Sequence, residues 1–529
     1  MTNPDQHNDK RKETTSASGR RGLLQAIGAG GALSIIPGWV SLASAQQAAR
    51  LRVRIGSDIS ILDPARIFQI ENQSVASNIY SGLVKYDEAT NQIVPDLAAS
   101  WTVSPDAKVY TFKLRDGVTW HKDFGVFSSD DVKFSFDRVL DPATGSAYRG
   151  QIADVIQSVE APDATTVRFV LAASNAEFLH RVTAFNNGWI VSRKAVTQLG
   201  DKYNLNPIGT GPFVFAQWVP GSEVRLTANP QYFGGTPKVQ ELVFRLIRDE
   251  TAAAIALEKG EIDIFFAMQQ PEVIERLRRT AGVKVLDRPA SNTLNLVINT
   301  SIKPLDDVRV RRAIAHAINR KALIEGFFRN TKYEANTVLT SAFPENTSDV
   351  PVYAFDPDRA RALLKEAGVS NMRFEITAPG LSPFDKLVVP IANDLNQVGI
   401  QATVRVLERA AYQQARSSGN VQGCVTAIVG PPDPGAPLVT LLARKSFPPG
   451  LNTARYDGAE DLLKAVSSEV DAAKRKQIYA AILRKVATDV PVVPLYADRL
   501  FMAHSDKVEG LVQNSMFTVQ CFPVRLKGA

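Results

Sequence analysis

Apolar and charged residues alternate over Leu51-Arg52-Val53-Arg54-Ile55, the pattern of a half-buried strand. Val109 to Leu114 and Thr166 to Leu171 repeat it, and Asp116-Gly117 marks a turn after the first of these. Val224 to Leu226 and Leu242 to Ile247 flank a turn-rich stretch, Asn229 to Lys238. The first half is therefore predicted to be rich in strands. The period changes after Asp249. Glu250 to Lys259 reads as a helix capped by Asp249 and stopped by Gly260. Val310, Ile314, Ala317, Ile318 and Leu323 share one face of a helix predicted over 308–328, with Asp306 or Asp307 at its start. Asp356-Pro357 opens a helix that ends before Gly368, with cap, first-turn proline and terminal glycine in their preferred places. A strand over 373–377, a helix over 386–398 and a strand over 401–406 follow. A helix over 472–488 then precedes the strand-like run Val490 to Tyr496. This alternation from about Thr300 to Asp489 makes an α/β lobe.

The start of the chain has a different character. A charged segment reaches Arg20-Arg21-Gly22-Leu23-Leu24, a short glycine-rich apolar run continues to about Val40, and Ala43-Ser44-Ala45 forms a small-x-small cleavage site. Pro37 interrupts the apolar run, which is too short to span a bilayer, so residues 1–45 are predicted to be an export signal. The paired arginines before two leucines resemble a twin-arginine signal. The alternative is an ordinary secretory leader that happens to carry two arginines. No cysteine stands at the cleavage site, so the product is expected to be soluble and without a lipid anchor.

Composition narrows the class. The 529 residues, 45% hydrophobic and 22% charged, suit a folded protein of more than one domain. Beyond residue 45 the chain keeps 56 of its 61 basic and 51 of its 54 acidic residues, a net of +5. That charge is too dilute for a nucleic-acid footprint, and Arg278-Arg279, Arg311-Arg312 and Lys474-Arg475-Lys476 read as solvated helix faces. The two cysteines, Cys424 and Cys521, leave open either a disulfide in an oxidising compartment or two separate buried thiols.

Several motifs occur in order. Ile93 to Leu140 (IVPDLAASWTVSPDAKVYTFKLRDGVTWHKDFGVFSSDDVKFSFDRVL) is the most specific. Ser81-Gly82-Leu83-Val84 with Tyr86-Asp87 precedes it. Gly209-Thr210-Gly211-Pro212-Phe213, Asn229 to Gly235, Asp306 to Ile318 and Asp356 to Gly368 follow. Together they resemble the extracytoplasmic solute-binding proteins of peptide-type ABC importers, the dipeptide, oligopeptide and nickel binding family. Most of these motifs set turns and helix caps.

The resemblance covers the chain after the leader. It implies an α/β, two-lobed periplasmic-binding-protein fold of type II, in the large peptide-binding cluster, with an extra subdomain in the first lobe. Lobe I would hold 46–295 and 493–529, and lobe II 296–492. The implied activity is capture of a solute between the lobes and delivery to a membrane permease, by a periplasmic monomer without a cofactor.

The resemblance also points to binding residues. The loop after the first strand contributes Ser57, Asp58 and Ile59. The segment Gly430-Pro431-Pro432-Asp433-Pro434 forms the second wall, with Gly430 and Asp433 as candidates. Peptide-binding members carry an aspartate four residues before the proline, which grips the ammonium of the peptide by a charge-assisted bond. Here that position is Gly430, so the expected solutes widen from peptides to an opine, a sugar conjugate or another small polar molecule. Trp189, after a loop-like Asn186-Asn187-Gly188, and Tyr412 could stack on a solute or fill a core, as could Tyr80. Arg409 could anchor a carboxylate or remain a surface arginine.

No catalytic or metal residue is expected. The sequence after the leader contains no GxSxG, P-loop or HExxH motif, and its histidines are scattered. His121 beside Asp123 reads as structural. A secreted hydrolase with an unrecognised site is the alternative from another functional class.

Overall fold

The computed structural model describes residues 49–528, apart from 68, 147, 184–187 and 429. The predicted export signal therefore lies outside the described residues, as do Asn186 and Asn187. One mixed eleven-stranded sheet organises the molecule. Its order is Gln401–Leu407, Arg373–Pro379, Gly423–Ile428, Val283–Ile298, Val492–Ser505, Ile264–Met268, Arg50–Ile55, Glu241–Leu246, Glu223–Ala228 and Phe213–Val219, with Lys332–Tyr333 added beside Val492–Ser505. Arg50–Ile55 pairs in parallel with Glu241–Leu246 and with Ile264–Met268. Arg373–Pro379 pairs in parallel with Gln401–Leu407 and with Gly423–Ile428. The two parallel patches are each covered by helices, as buried parallel strands require.

Two long antiparallel strands connect the patches. Val283–Ile298 pairs with Val492–Ser505 from Val283 opposite Ser505 to Val297 opposite Val492. The register breaks between Pro289 and Thr293. Such an irregularity bends a strand pair, and here it separates two groups of hydrophobic cores. One lobe's principal core draws on Leu51 to Phe266 and on Met502 to Val524. A satellite in the same lobe packs Ala253, Leu257, Phe265 and Leu277 against Phe501. The other lobe has one core around Leu296, Ile314, Phe374 and Ile391, and another around Val297, Leu441, Tyr479 and Ile482. A separate four-stranded sheet, Ala98–Val103, Val109–Leu114, Thr166–Leu171 and Ile156–Asp163, forms the extra subdomain and packs into the first lobe's core.

Local chemistry explains most of the predicted elements. Asp249 accepts from Ala252 N at the start of Glu250–Glu258. Asp356 accepts from Arg359 N at the start of Pro357–Glu366. Gly260 and Gly368 follow these helices with φ near +69°, a conformation glycine adopts without a Cβ penalty. The helix predicted over 308–328 is broken instead. Val308–Ala317 ends at extended Ile318, and Asn319 caps a new turn, Arg320–Ala322, by accepting from Ala322 N. The Asn319 N–H is itself taken by Asp394 Oδ2 at 2.9 Å. That tertiary bond overrides the apolar spacing, which continues across the break.

The Gly209–Phe213 motif is a packing device. A Cβ on Gly209 would lie 2.0 Å from the Ile79 carbonyl oxygen, and one on Gly211 would lie 2.6 Å from it. Buried His121 clamps the same turn. Its Nδ1 accepts from Gly209 N at 3.3 Å, and its Nε2 donates to the Gly211 oxygen at 3.0 Å. Burial pushes its pKa down to about 4, so the ring is neutral. Cys424 and Cys521 are both buried free thiols, one in each lobe's core. Among the described residues, no helix is long and apolar enough to cross a membrane.

Candidate functional site

The loop after Arg50–Ile55 leaves Ser57 exposed and buries Ile59 in the first lobe's core. Asp58 is held by its neighbours. It accepts from Ile59 N (2.9 Å) and Trp218 Nε1 (3.0 Å) through Oδ1, and from Gly221 N (2.5 Å) through Oδ2. These bonds lock the loop to the turn between Phe213–Val219 and Glu223–Ala228. The loop ends at buried Asp63, which accepts from both terminal nitrogens of Arg138, Nη1 at 2.7 Å and Nη2 at 2.5 Å. Nearby Tyr80 is also buried, and its hydroxyl donates to the Leu62 oxygen at 3.0 Å.

The segment 430–434 lies at the strand crossing. Gly430 N is 3.4 Å from Asn292 Oδ1, inside the register break. Gly430 has φ +156°, and a Cβ there would meet nothing within 4 Å. The space is open, but the backbone is one that L residues rarely adopt. The Asp433 N–H donates to the Pro431 oxygen at 2.8 Å, closing a tight turn. Asp433 Oδ1 then accepts from Gly435 N (3.0 Å) and Ala436 N (3.2 Å), satisfying the first donors of helix Gly435–Leu442. Its Oδ2 lies 3.2 Å from Arg181 Nη2 of the other lobe.

The remaining predicted residues are dispersed. Trp189 is buried in the first lobe's core, with its ring 6.4 Å from that of Tyr80. Tyr412 is buried in the second lobe, where its hydroxyl donates to the Val425 oxygen at 2.6 Å and Arg416 lies over its ring. Arg409 is exposed at the start of helix Arg409–Ser417. Of the nine candidates, Gly430 and Asp433 share one segment and Ser57, Asp58 and Ile59 share another. Among the described residues, no hydrogen bond or ion pair joins the two segments.

Side chains that the sequence did not single out gather around Asp433. Glu177 and Arg181 come from the first lobe, in and before the turn Phe178–Arg181. Glu345 and Arg475 come from the second. Glu177 lies against the backbone of Gly435, where a Cβ would be 1.8 Å from its Oε2. Burial, with Asp433 as the next cause, raises the Glu177 carboxyl well above its ordinary 4.5. Glu345 is also raised, chiefly by burial. Its Oε2 is buried with no hydrogen-bond partner among the described residues. Tyr86 Oη is 2.9 Å from His180 Nδ1 beside the cluster, and burial lowers the His180 pKa. Two further bonds cross between the lobes: Ala176 N to the Ser467 oxygen (2.7 Å) and Asn91 Nδ2 to the Ala342 oxygen (2.6 Å). Nothing local in the sequence marked this set. Glu177 and Arg181 stand four apart, the spacing of an ordinary surface pair.

A two-lobed α/β frame whose lobes meet beside a paired strand crossing defines a class of receptor. Residues 92–447 match the bacterial extracellular solute-binding proteins, family 5 middle region. The di/tripeptide-binding protein 2 of Pseudomonas aeruginosa is 32% identical over 484 residues, covering 86% of this chain and 90% of the relative. Among solved structures, the DppA periplasmic binding protein of Helicobacter pylori in complex with the peptide STSA superposes with a TM-score of 0.71. It is 29% identical, over 92% of this chain and 99% of that one. The MoaA binding protein of A. tumefaciens R10 with mannopinic acid gives 0.69 at 28% identity, over 91% of this chain and 100% of that one. The chain belongs to the family 5 extracellular solute-binding proteins.

Proposed function

We propose that this chain is the extracytoplasmic solute receptor of an ABC importer. It captures a peptide or peptide-like small polar solute between its lobes and delivers it to the permease. The observation that carries this reading is the family match across the two-lobed chain, with peptide-binding relatives aligned over most of their length. The leader over 1–45 would direct export, by the twin-arginine route, and its removal would leave a soluble periplasmic monomer. Lobe I comprises 46–295 and 493–529, and lobe II comprises 296–492. Solute would lie beside Gly430 and Asp433, with the Ser57–Ile59 loop and the residues Trp189, Arg409 and Tyr412 shaping or supporting the cleft. The mannopinic acid bound to MoaA favours keeping opine-like solutes within the class. Glycine at position 430 argues for the same breadth, since it offers no carboxylate to an ammonium group.

A thermal-shift screen of the chain from Gln46 onward tests this reading. The panel holds dipeptides, tripeptides, opines and oligosaccharides. A solute present at one hundred times its Kd stabilises the folded state by about 2.7 kcal/mol. Stabilisation by peptides or opines is the expected result. Silence with every compound, or stabilisation only by oligosaccharides, contradicts it.

A further inference from the structure

The Glu177 cluster joins the lobes through groups that can change charge. Three carboxylates feel one another's charge there: Glu177 from one lobe, Asp433 and Glu345 from the other. Two guanidiniums face them, Arg181 from the turn Phe178–Arg181 and Arg475 from helix Ala472–Asp489. Arg475 donates to the Glu469 and Val470 oxygens at 3.0 and 2.8 Å, so it is tied to its own helix start and acts on Glu177 as a fixed charge. Tyr110, whose hydroxyl donates to the Asn175 oxygen, faces Glu177 from strand Val109–Leu114. His180 and Tyr86 complete the first lobe's side, and exposed Lys476 sits near Glu345 at the rim.

The contact is tight as well as charged. Ala176 N donates to the Ser467 oxygen at 2.7 Å, immediately before Glu177. Gly435 leaves no gap between its backbone and the Glu177 carboxyl. Glu177 is half-buried, so solvent only partly screens an extra negative charge there, and a charge that loses part of its hydration is costly. With all three carboxylates ionised, three negative groups face two guanidiniums within the contact, and Lys476 stands outside it at the exposed rim near Glu345. A proton on Glu177 balances the set.

We propose that this cluster is a proton-dependent strut between the lobes: the lobe arrangement seen here forms with a proton on Glu177, and ionisation of Glu177 releases it. The inference rests on the receptor reading, because a lobe angle that follows pH matters to a protein that holds its solute between lobes. The sign follows from linkage. In this arrangement the Glu177 carboxyl is raised above its ordinary 4.5, and where the lobes separate it returns towards that value. The strut is fully favoured below about pH 4.5 and is lost as pH rises through the raised value.

The test needs no solute, so its failure is distinct from failure of the receptor reading. Fluorophores on Asp137→Cys and Glu366→Cys, exposed positions on helices of opposite lobes, report the lobe separation by energy transfer. The native cysteines are buried and remain unlabelled. Transfer in the otherwise wild-type protein is expected to hold its acid value below about pH 4.5 and to change as pH rises above it. In Glu177→Gln, which keeps the shape without the charge, transfer stays at the wild-type acid value throughout. Glu345→Gln removes a neighbouring negative charge and moves the midpoint to lower pH. Transfer that ignores pH in the wild type, a Glu177→Gln protein that titrates like wild type, or an unmoved midpoint in Glu345→Gln overturns the proposal. Circular dichroism of each variant verifies its fold.

Discussion

Arg181 and Asp433 form an ion pair across the two lobes, 3.2 Å from nitrogen to oxygen, with the Asp433 side chain 4% exposed. The same aspartate caps helix Gly435–Leu442, so one carboxylate ties a helix start in one lobe to a turn in the other. Asp433→Ala removes the cap and the pair together. A loss of about 2 kcal/mol is expected in denaturant unfolding. Arg181→Ala, which leaves the aspartate without its charged partner, costs about 1–3 kcal/mol. The double variant is expected to lose less than the sum of the single losses, by about 1 kcal/mol. Additive losses would show that the pair is not coupled.

The Gly209 turn gives a contrast between two glycines. Gly209→Ala drives a methyl group into the Ile79 carbonyl, and neither side of that contact is a flexible side chain. It is expected to destabilise by at least about 3 kcal/mol. Gly150→Ala, inside the short helix Arg149–Ile152 with nothing within 4 Å of the new methyl, is expected to be neutral or to stabilise by up to about 1 kcal/mol. Equal effects in a melting comparison would refute the close-approach account of the motif.

Glu88 predicts a pH dependence. Burial, only partly opposed by the bond from Asn514 Nδ2 (2.7 Å), raises its carboxyl from 4.5 to about 7. The protonated form is favoured in the folded chain. Its contribution is therefore fully present below pH 4.5 and is lost as pH rises through about 7. Wild type is expected to lose about 3 kcal/mol more than Glu88→Gln over that interval. Unfolding curves at several pH values measure the difference, and parallel stability profiles would contradict the assignment.

Cys424 and Cys521 lie in the cores of opposite lobes. Burial raises both thiols, which suppresses the reactive thiolate. Two thiols per chain are expected to alkylate only after unfolding, and a reductant is expected to leave the melting temperature unchanged. Fewer than two thiols in the unfolded, unreduced chain would indicate a disulfide.

Much of this architecture was legible because its determinants are local. Asp249, Asp356 and the glycines after their helices act within one turn of chain, so their spacing predicted the caps that form. The order of alternating strands likewise located Val109–Leu114 and Thr166–Leu171. The break after Ala317 was not legible, because the Asn319 cap depends on Asp394 from a distant helix while the apolar face runs on unchanged. The cleft was harder still. Asp58 and Asp433 look alike as loop aspartates. One closes a hairpin turn within its own lobe, and the other bridges lobes. Glu177, Glu345 and Arg475 reach the same spot from three remote segments, and no sequence spacing reports that meeting.

Isothermal titration of the chain from Gln46 onward with a di- and tripeptide panel and mannopinic acid, followed by mass spectrometry of the recovered solute, tests the central claim most directly. A solute receptor binds one molecule per chain, with a Kd of about 1 μM or tighter for its preferred solute, and returns that molecule with its mass unchanged. No binding by any member of the panel, or a solute recovered cleaved, would contradict the account.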